Sequence, residues 1–183
     1  MDIIRTILVA IWIMLPTYVA NPAAVIFGGG KCIDGGRFWK DGKRILGEGK
    51  TWLGLAGGTL SGMLVGWIQE MLVKASGTNY FPSFGNGYGV LLFALAFGAL
   101  FGDSAKSFVK RRMNIERGEK SPYFMDQLDF VLGAWIFATI LTLGQFWAFF
   151  NIYEVLVIII ITPALHRIVN IIGYKTGKKQ VPW

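Results

Sequence analysis

Long stretches without charge divide the chain into segments of membrane-spanning length. Charged residues are absent from four of them, at 6–30, 51–69, 75–102 and 130–153. A bilayer core about 30 Å thick needs about 20 apolar residues of α-helix, so each stretch can cross once. A fifth apolar segment covers 155–172 and contains Pro163, His166 and Arg167.

These segments are predicted to be helices. The strands of a membrane barrel alternate in polarity, whereas residues 155–161 read Val-Leu-Val-Ile-Ile-Ile-Ile. The pattern therefore predicts an all-α membrane protein, with residues 1–183 forming a single transmembrane domain. The five predicted spans cover about 4–20, 53–72, 88–102, 130–149 and 154–173.

Composition supports a membrane location. Of the 183 residues, 54% are hydrophobic and only 16% are charged, against about 25% charged in an average soluble domain. A soluble chain this short buries a small share of its surface and could not hide so much apolar area. Lipid is the solvent that this composition favours.

The distribution of Lys and Arg predicts the orientation. Six lie in the 31–50 loop, six in the 105–129 loop and three in the tail after 173, against only Arg5 and Lys74 on the other side. The positive-inside rule then places the N-terminus outside and both loops and the C-terminus in the cytoplasm. The protein is thus expected in the cell membrane, as a multi-pass protein with its active site on the cytoplasmic side.

The first basic loop is a candidate phosphate site. It combines six cations with many glycines, which let backbone N–H groups approach an anion. The stretch ending in Gly49-Lys50-Thr51 is not a P-loop, because Arg44 stands where that motif needs glycine. The open alternative is a basic, flexible connector lying against anionic headgroups.

The second loop carries carboxylates as well as cations. Asp103 precedes Lys106 and Lys110, which are four residues apart and share one face of a helix. Asp126 and Asp129 also share a face, just before span four. Carboxylates without His or Cys favour a hard cation, above all Mg²⁺. The alternative is helix capping, by Asp126 for span four and by Asp103 for a helix starting at Ser104.

A single cysteine, Cys32, and a single histidine, His166, exclude a disulfide framework, a cysteine-rich zinc site and a haem-attachment motif. His166 is interpreted as a helix-packing residue or a partner of a lipid headgroup rather than a catalyst.

The second loop resembles a known family. Gly102-Asp103-x₃-Ser107-x₂-Lys110-Arg111, followed by Asp126-x₂-Asp129, is similar to the signature of the CTP-dependent phosphatidate cytidylyltransferases. The chain departs from the bacterial pattern at Ser121-Pro122-Tyr123, which replaces His-Gly-Gly, and at Gln127, which replaces Arg.

Those departures, the small size and the five spans fit the archaeal branch, the CDP-archaeol synthases. The first loop agrees with that family's N-terminal block at Asn21-Pro22, Gly28-Gly29, Asp34-Gly35, Asp41-Gly42 and Gly49-Lys50-Thr51. The resemblance covers nearly the whole chain, and most specifically 21–51 and 102–129.

The resemblance implies transfer of CMP from CTP to digeranylgeranylglyceryl phosphate, an archaeal diether lipid phosphate, giving CDP-archaeol and pyrophosphate. Mg²⁺ is the implied cofactor, and a nucleic-acid partner is not expected. The implied catalytic residues are Asp103, Asp126, Asp129 and Lys110, with the three aspartates as the metal ligands. The implied CTP site consists of Gly28, Gly29, Gly30, Lys50, Thr51, Lys106, Ser107, Lys110 and Arg111. The lipid phosphate is assigned to Arg112 or Arg37.

Three other classes of protein share some of these features. A bacterial-type phosphatidate cytidylyltransferase making CDP-diacylglycerol differs mainly in the lipid that fits. A CDP-alcohol phosphotransferase needs a spacing that Asp34-Gly35-Gly36-Arg37 and Asp126-x₂-Asp129 break. A small transporter would place charges at the middle of the bilayer, whereas the charges of spans one to four lie only at their edges. The pattern does not specify an oligomeric state.

Overall fold

The chain is an all-helical bundle over the residues that the computed structural model describes, namely 2–85, 87–115, 119, 127–178 and 181. Within them it forms five α-helices and one short 3₁₀ helix, together with two isolated β-bridges in the first loop. The α-helices are α1 (Ile3–Ile26), α2 (Trp52–Ser76), α3 (Tyr88–Arg112), α4 (Asp129–Leu141) and α5 (Ile152–Lys175), and the 3₁₀ helix covers Gln145–Phe149.

The helices confirm the predicted fold class and identify three long apolar spans. In the described part of the chain, α1, α3 and α5 are long and apolar enough to cross a membrane. The more polar α2 has 25 residues. The apolar α4 has only 13, about 20 Å at 1.5 Å per residue. Five spans and their orientation remain a prediction.

The predicted extent of span four, 130–149, is wrong. The α-helix ends at Leu141, where Leu143 and Gly144 adopt left-handed φ values of 51° and 83°. A glycine takes that conformation at low cost, so Gly144 stops the helix. The remaining apolar residues form the 3₁₀ helix instead, and they fold back on the bundle through the buried Phe146.

The other helices also run further than predicted, and two of them by more than five residues. Span one was expected to end at residue 20, but α1 continues past Asn21 and Pro22 to Ile26. Span three was expected to end at residue 102, but α3 continues to Arg112. Asp103 therefore lies inside a helix, and the alternative that it caps a helix starting at Ser104 is wrong.

Small residues let the helices approach closely. A Cβ added at Gly58 would lie 2.6 Å from the carbonyl oxygen of Ala20, and one at Gly62 would lie 2.6 Å from that of Pro16. The backbones of α1 and α2 thus meet almost directly, as membrane helices do at small-residue interfaces. α3 packs on α2 and α4, and α5 packs on α1.

The connecting segments group at two ends of the bundle. At one end, Arg5 donates to the carbonyl oxygen of Asn79 at 3.4 Å, and the rings of Phe84 and Phe149 lie 6.3 Å apart. At the other end, the first loop reaches the C-terminal end of α3. We call these the opposite end and the charged end. This grouping is the one that alternating spans require, whereas the side of the membrane each faces stays a prediction.

Candidate active site

The crossing of α3 and α4 brings Asp103 and Asp129 together. These are the two predicted metal ligands that lie within the described residues. A Cβ added at Gly98 would lie 2.7 Å from the carbonyl oxygen of Gly133, and one at Gly102 would overlap the backbone of Asp129. Because both α3 positions are glycines one turn apart, the two helices touch along their backbones. This contact brings the first residue of α4, Asp129, beside Asp103 on α3.

Four charged side chains form a continuous row at this crossing, which we call the carboxylate–lysine cluster. Lys50, just before α2, pairs with Oδ2 of Asp103. Lys106 lies 3.5 Å from Oδ1 of Asp103 and 3.1 Å from Oδ2 of Asp129. The exposed fractions of the side chains of Lys106 and Asp129 are 11% and 9%. Because these side chains are largely removed from water, each charge is stable there only while its oppositely charged partner is present.

Asp129 is the least satisfied member of the cluster. Both of its carboxylate oxygens are buried, and neither accepts a hydrogen bond from the described residues. The contact with Lys106 therefore supplies charge but not hydrogen-bond geometry. A buried carboxylate in this state costs free energy in a protein that does nothing with it.

The cluster suits a hard cation. Its acceptors are carboxylate oxygens, the ligands that Mg²⁺ prefers, and those of Asp129 accept no well-aligned hydrogen bond from the described residues, although Lys106 lies 3.1 Å from one of them. Within those residues, no three of the His, Cys, Asp and Glu side chains gather as a metal site. The third expected ligand, Asp126, lies outside the described residues, as do the cations Arg117, Lys120 and Lys179.

The first loop, residues 28–51, is organised around the carboxylate of Asp34. This side chain is fully buried and binds the Arg44 guanidinium through both oxygens, at 2.9 and 3.2 Å. It also accepts the backbone N–H groups of Gly36, Leu46 and Gly47. Burial alone raises the pKa of a carboxyl group, but these donors outweigh it and hold the pKa of Asp34 well below its usual value. The loop is therefore a folded unit and not a flexible connector.

The same loop is docked on the last turn of α3. The Arg112 guanidinium pairs with Asp41 at 2.8 Å, and the ammonium group of Lys43 donates to the carbonyl oxygen of Arg112 at 3.2 Å. A Cβ added at Gly47 would lie 3.1 Å from the Arg111 guanidinium. The two basic loops predicted to act together are thus in direct contact.

Thr51 and Gly29 lie where the loop joins the helices. The Thr51 hydroxyl accepts the N–H of Gly54 at 3.1 Å as the N-cap of α2, and that of Gly29 at 3.2 Å. Gly28 follows the end of α1 and contacts Gly54 across this junction. These residues hold the base of the loop next to Lys50, which is the position that the sequence assigned to the CTP site.

Of the other predicted site residues, Gly30 and the exposed Arg37 lie in the first loop, and the rest lie on α3. Lys106 and Lys110 are one turn apart on this helix, as their spacing predicted. Ser107 donates its hydroxyl to the carbonyl oxygen of Asp103 at 3.0 Å, and Arg111 donates to that of Ile115 at 2.7 Å. The Ser107 bond is made within the helix, so it gives no sign of a ligand.

Two structural roles were not assigned from the sequence: Asp34 organises the loop, and Gly102 permits the approach of Asp129. His166, interpreted as a helix-packing residue, does pack from α5, where its ring lies 5.5 Å from that of Phe130 in an edge-to-face contact. The pair Gly98-x₃-Gly102 is a recognisable signal for close helix packing. The position of His166 depends on tertiary contacts that no local pattern records.

The apolar helical bundle with a carboxylate–lysine cluster at one end defines the class, which is that of helical membrane proteins with a charged site at one end of the bundle. The chain belongs to the CarS-like family of CDP-archaeol synthases, whose family model matches residues 3–183.

Individual relatives agree with the family match. The CDP-archaeol synthase of Methanosarcina barkeri is 49% identical over 177 residues, covering 93% of this chain and all of the relative. That of Archaeoglobus fulgidus is 45% identical over 178 residues, covering 97% and 98%. A solved intramembrane enzyme for archaeal membrane lipids biosynthesis is 38% identical, covers 86% of this chain and 93% of its own, and superposes with a TM-score of 0.63.

Proposed function

We propose that the chain transfers CMP from CTP to the phosphate of digeranylgeranylglyceryl phosphate, releasing pyrophosphate and forming CDP-archaeol in archaeal phospholipid synthesis. The family and its relatives support this product. The observation that carries the proposal is the meeting of Asp103 and Asp129 with Lys50 and Lys106 at the charged end of the bundle.

The reaction suits these residues. An oxygen of the lipid phosphate attacks the α-phosphorus of CTP, and the bond from that phosphorus to the oxygen bridging to the β-phosphorus breaks. The nucleophile is already an anion, so no side chain needs to remove a proton. The chain must instead hold two anions together and stabilise the charge of the leaving pyrophosphate, which fixed cations do.

Among the described residues, Lys50 and Lys106 pair with the aspartates, and we assign both to the triphosphate of CTP. Lys110 and Arg111 extend the same positive surface along the last turn of α3. The backbone N–H groups of Gly28–Gly30 and Thr51 would close over the phosphates from the base of the first loop. Because Lys50 and Lys106 are already paired with carboxylates, binding CTP would exchange those partners for phosphate oxygens.

We assign Mg²⁺ to Asp103, Asp129 and Asp126. When bound there, the ion would neutralise phosphate oxygens and stabilise the leaving group. The unsatisfied oxygens of Asp129 support this assignment. The protein's own contribution is to hold the carboxylates at a fixed spacing through the close contact of α3 and α4.

A transfer assay tests the reaction. Purified protein in detergent receives labelled CTP, Mg²⁺ and either the diether lipid phosphate or phosphatidic acid. We expect label in the lipid with CTP, a much slower reaction with ATP or GTP, and loss of activity with EDTA. Equal turnover of ATP would contradict the CTP assignment, full activity after chelation would contradict the metal, and a preference for phosphatidic acid would favour the bacterial-type reaction.

The orientation has its own test. We propose five spans with the charged end in the cytoplasm, on the strength of the Lys and Arg distribution. A label introduced at Asn79 should react from outside intact cells, and one at Gly177 should react only after permeabilisation. The reverse pattern would invert the orientation and leave the reaction unaffected.

A further inference from the structure

Arg112, the last residue of α3, holds the tip of the first loop. Its guanidinium donates to the carbonyl oxygens of Arg44 at 2.7 Å and Lys43 at 3.3 Å, and pairs with Asp41 at 2.8 Å. The same group lies 4.8 Å from the centre of the Phe108 ring. A planar guanidinium that bridges several acceptors and stacks on a ring is fixed in orientation, which an ammonium group could not reproduce.

Arg112 is largely buried against the tip of the first loop. Its side chain is only 20% exposed, and each acceptor it binds belongs to the loop tip. The ring of Trp39 adds an edge-to-face contact with Phe108 at 5.4 Å. The Nε and Nη1 atoms of Arg112 are buried and make no hydrogen bond with the described residues. A lipid phosphate could therefore reach them only if the contact between Arg112 and the loop tip opened, which argues against the expectation that Arg112 takes that phosphate.

A line of contacts connects the docked tip to the carboxylate–lysine cluster. Arg112 binds the carbonyl of Arg44, and the side chain of Arg44 binds Asp34. Asp34 in turn binds the N–H groups of Leu46 and Gly47. Three residues after Gly47, Lys50 reaches Asp103 on α3. The loop thus contacts α3 both at its tip and at Lys50, and Asp34 braces the segment between the two contacts.

We propose that Arg112 is a positioning residue for CTP binding: by clamping the loop tip to α3, it places Lys50 at Asp103. Arg112 touches neither substrate in this account. The proposal rests on the proposed function, since it assigns Lys50 to the triphosphate of CTP. It predicts that loss of the clamp weakens CTP binding while leaving the lipid site intact.

The kinetic test compares Arg112→Gln with Lys40→Gln. Both changes remove one positive charge from the same region, but Lys40 is exposed at the loop tip. We expect Arg112→Gln to raise the KM for CTP by about tenfold, since a hydrogen bond to a charged group contributes about that factor. In Arg112→Gln the KM for the lipid phosphate should stay within about twofold of wild type. In Lys40→Gln the KM values for CTP and for the lipid phosphate should both stay within the same range, because no binding contact is removed.

A double-mutant cycle and hydrogen exchange separate positioning from general damage. Asp41→Asn should raise the KM for CTP as well, and its combination with Arg112→Gln should be less than additive because both break one clamp. In Arg112→Gln, the N–H groups of Trp39 and Ile45 at the tip should exchange faster. Those of Ile33 and Trp52, bonded at 2.8 and 3.1 Å at the loop base, should not change.

The outcomes are distinguishable. A raised KM for the lipid with an unchanged KM for CTP would overturn the proposal and make Arg112 a lipid-phosphate ligand. Unchanged kinetics with faster exchange at the tip would also overturn it, since docking would then not matter for CTP. If the wild type itself showed no dependence on CTP, the proposed function would fail first, and the exchange pattern would still report whether the clamp holds the loop.

Discussion

Two nearly buried carboxylates, one at each end of the bundle, differ in how they are satisfied. At the opposite end, Glu70 accepts the Ser83 hydroxyl at 2.8 Å and the N–H of Phe84 at 2.8 Å, and pairs with Lys74 at 3.2 Å. At the charged end, Asp129 pairs with Lys106 at 3.1 Å, but its oxygens accept no hydrogen bond from the described residues.

The difference is the one expected between a structural carboxylate, Glu70, and a carboxylate that binds a metal ion, the role proposed for Asp129. Glu70 ties Ser83 and Phe84 to α2, and its hydrogen bonds offset the cost of its burial. Asp129 has a lysine of similar proximity but lacks those donors, so burial leaves its oxygens available for a cation or a substrate-bound ion. Each prediction below changes one side of this comparison.

The largest effect is expected from removing charge at the cluster. Asp129→Asn and Asp103→Asn keep the shape of the side chain but remove the negative charge that a divalent cation needs. We expect each variant to purify normally and to lose at least ~100-fold in CMP-transfer rate, the scale of losing one strong electrostatic contact in a transition state.

The matched control is Glu70→Gln, the same kind of change at the other end, which should keep its transfer rate. Near-normal turnover in both aspartate variants would make Asp129 and Asp103 interfacial anchors. The metal site would then have to lie elsewhere, and Asp34 is a poor substitute because five donor groups already bind it.

The second effect concerns spacing rather than charge. A methyl group added in Gly102→Ala would overlap the backbone of Asp129, whereas one added in Gly89→Ala, on the same helix, meets nothing within 4 Å. Overpacking of this kind costs about 1–3 kcal/mol and shifts the backbone. Transfer should fall by at least about tenfold in Gly102→Ala, because small misplacements at a reacting centre are costly.

Gly89→Ala should be neutral or slightly stabilising, since alanine is the better helix former. Transfer rates and thermal midpoints in detergent measure both variants. Equal behaviour of the two would mean that α3 and α4 need not touch for Asp103 and Asp129 to cooperate.

Much of the fold follows from the chain's polarity, because membrane helices satisfy their own backbone and need only sufficient apolar length. The helical class, the pairing of the two basic loops and the shared face of Lys106 and Lys110 were predictable for this reason. Span four was not, since the apolar residues after Gly144 continue the hydrophobic pattern while the backbone turns away. The hydrophobic pattern indicates which segments can lie in lipid, but it does not indicate the residue at which a helix ends.

The site was predictable in its residue types more than in its arrangement. Charged residues are rare in this apolar chain, so the aspartates and lysines are easy to identify. Asp103, for example, directly follows the charge-free stretch that ends at Gly102. The role of Asp34 was missed because its five donors come from residues up to 13 positions away. Thr51 was assigned to CTP, and the structure adds its capping of α2, which the Thr-x-x-Gly spacing does not announce.

A third effect is expected at the opposite end, on stability alone. Glu70→Ala leaves the Ser83 hydroxyl and the Phe84 N–H without their acceptor, and an orphaned buried donor costs about 1–3 kcal/mol. The thermal midpoint should fall, while the KM for CTP and the transfer rate of the folded fraction stay at wild-type values. A selective loss of CTP binding would contradict the division between the two ends.

The smallest effect is expected at Asp2, the acidic residue farthest along the chain from the cluster. Its carboxylate accepts the N–H groups of Ile4 at 3.0 Å and Arg5 at 3.3 Å, which makes it the N-cap of α1. Asn caps a helix about as well as Asp, so Asp2→Asn should change neither thermal midpoint nor transfer rate, whereas Asp2→Ala should cost ~1 kcal/mol of stability. Both variants should turn over CTP normally, because the cap lies at the opposite end from Asp103 and Asp129.

Comparing Asp2→Asn with Asp129→Asn therefore applies one chemical change to two helix N-termini. If the first variant is silent and the second inactive, the carboxylate of Asp129 is needed for its charge and not for its position in the first turn of a helix. If both variants are silent, the negative charge of Asp129 is not needed for transfer.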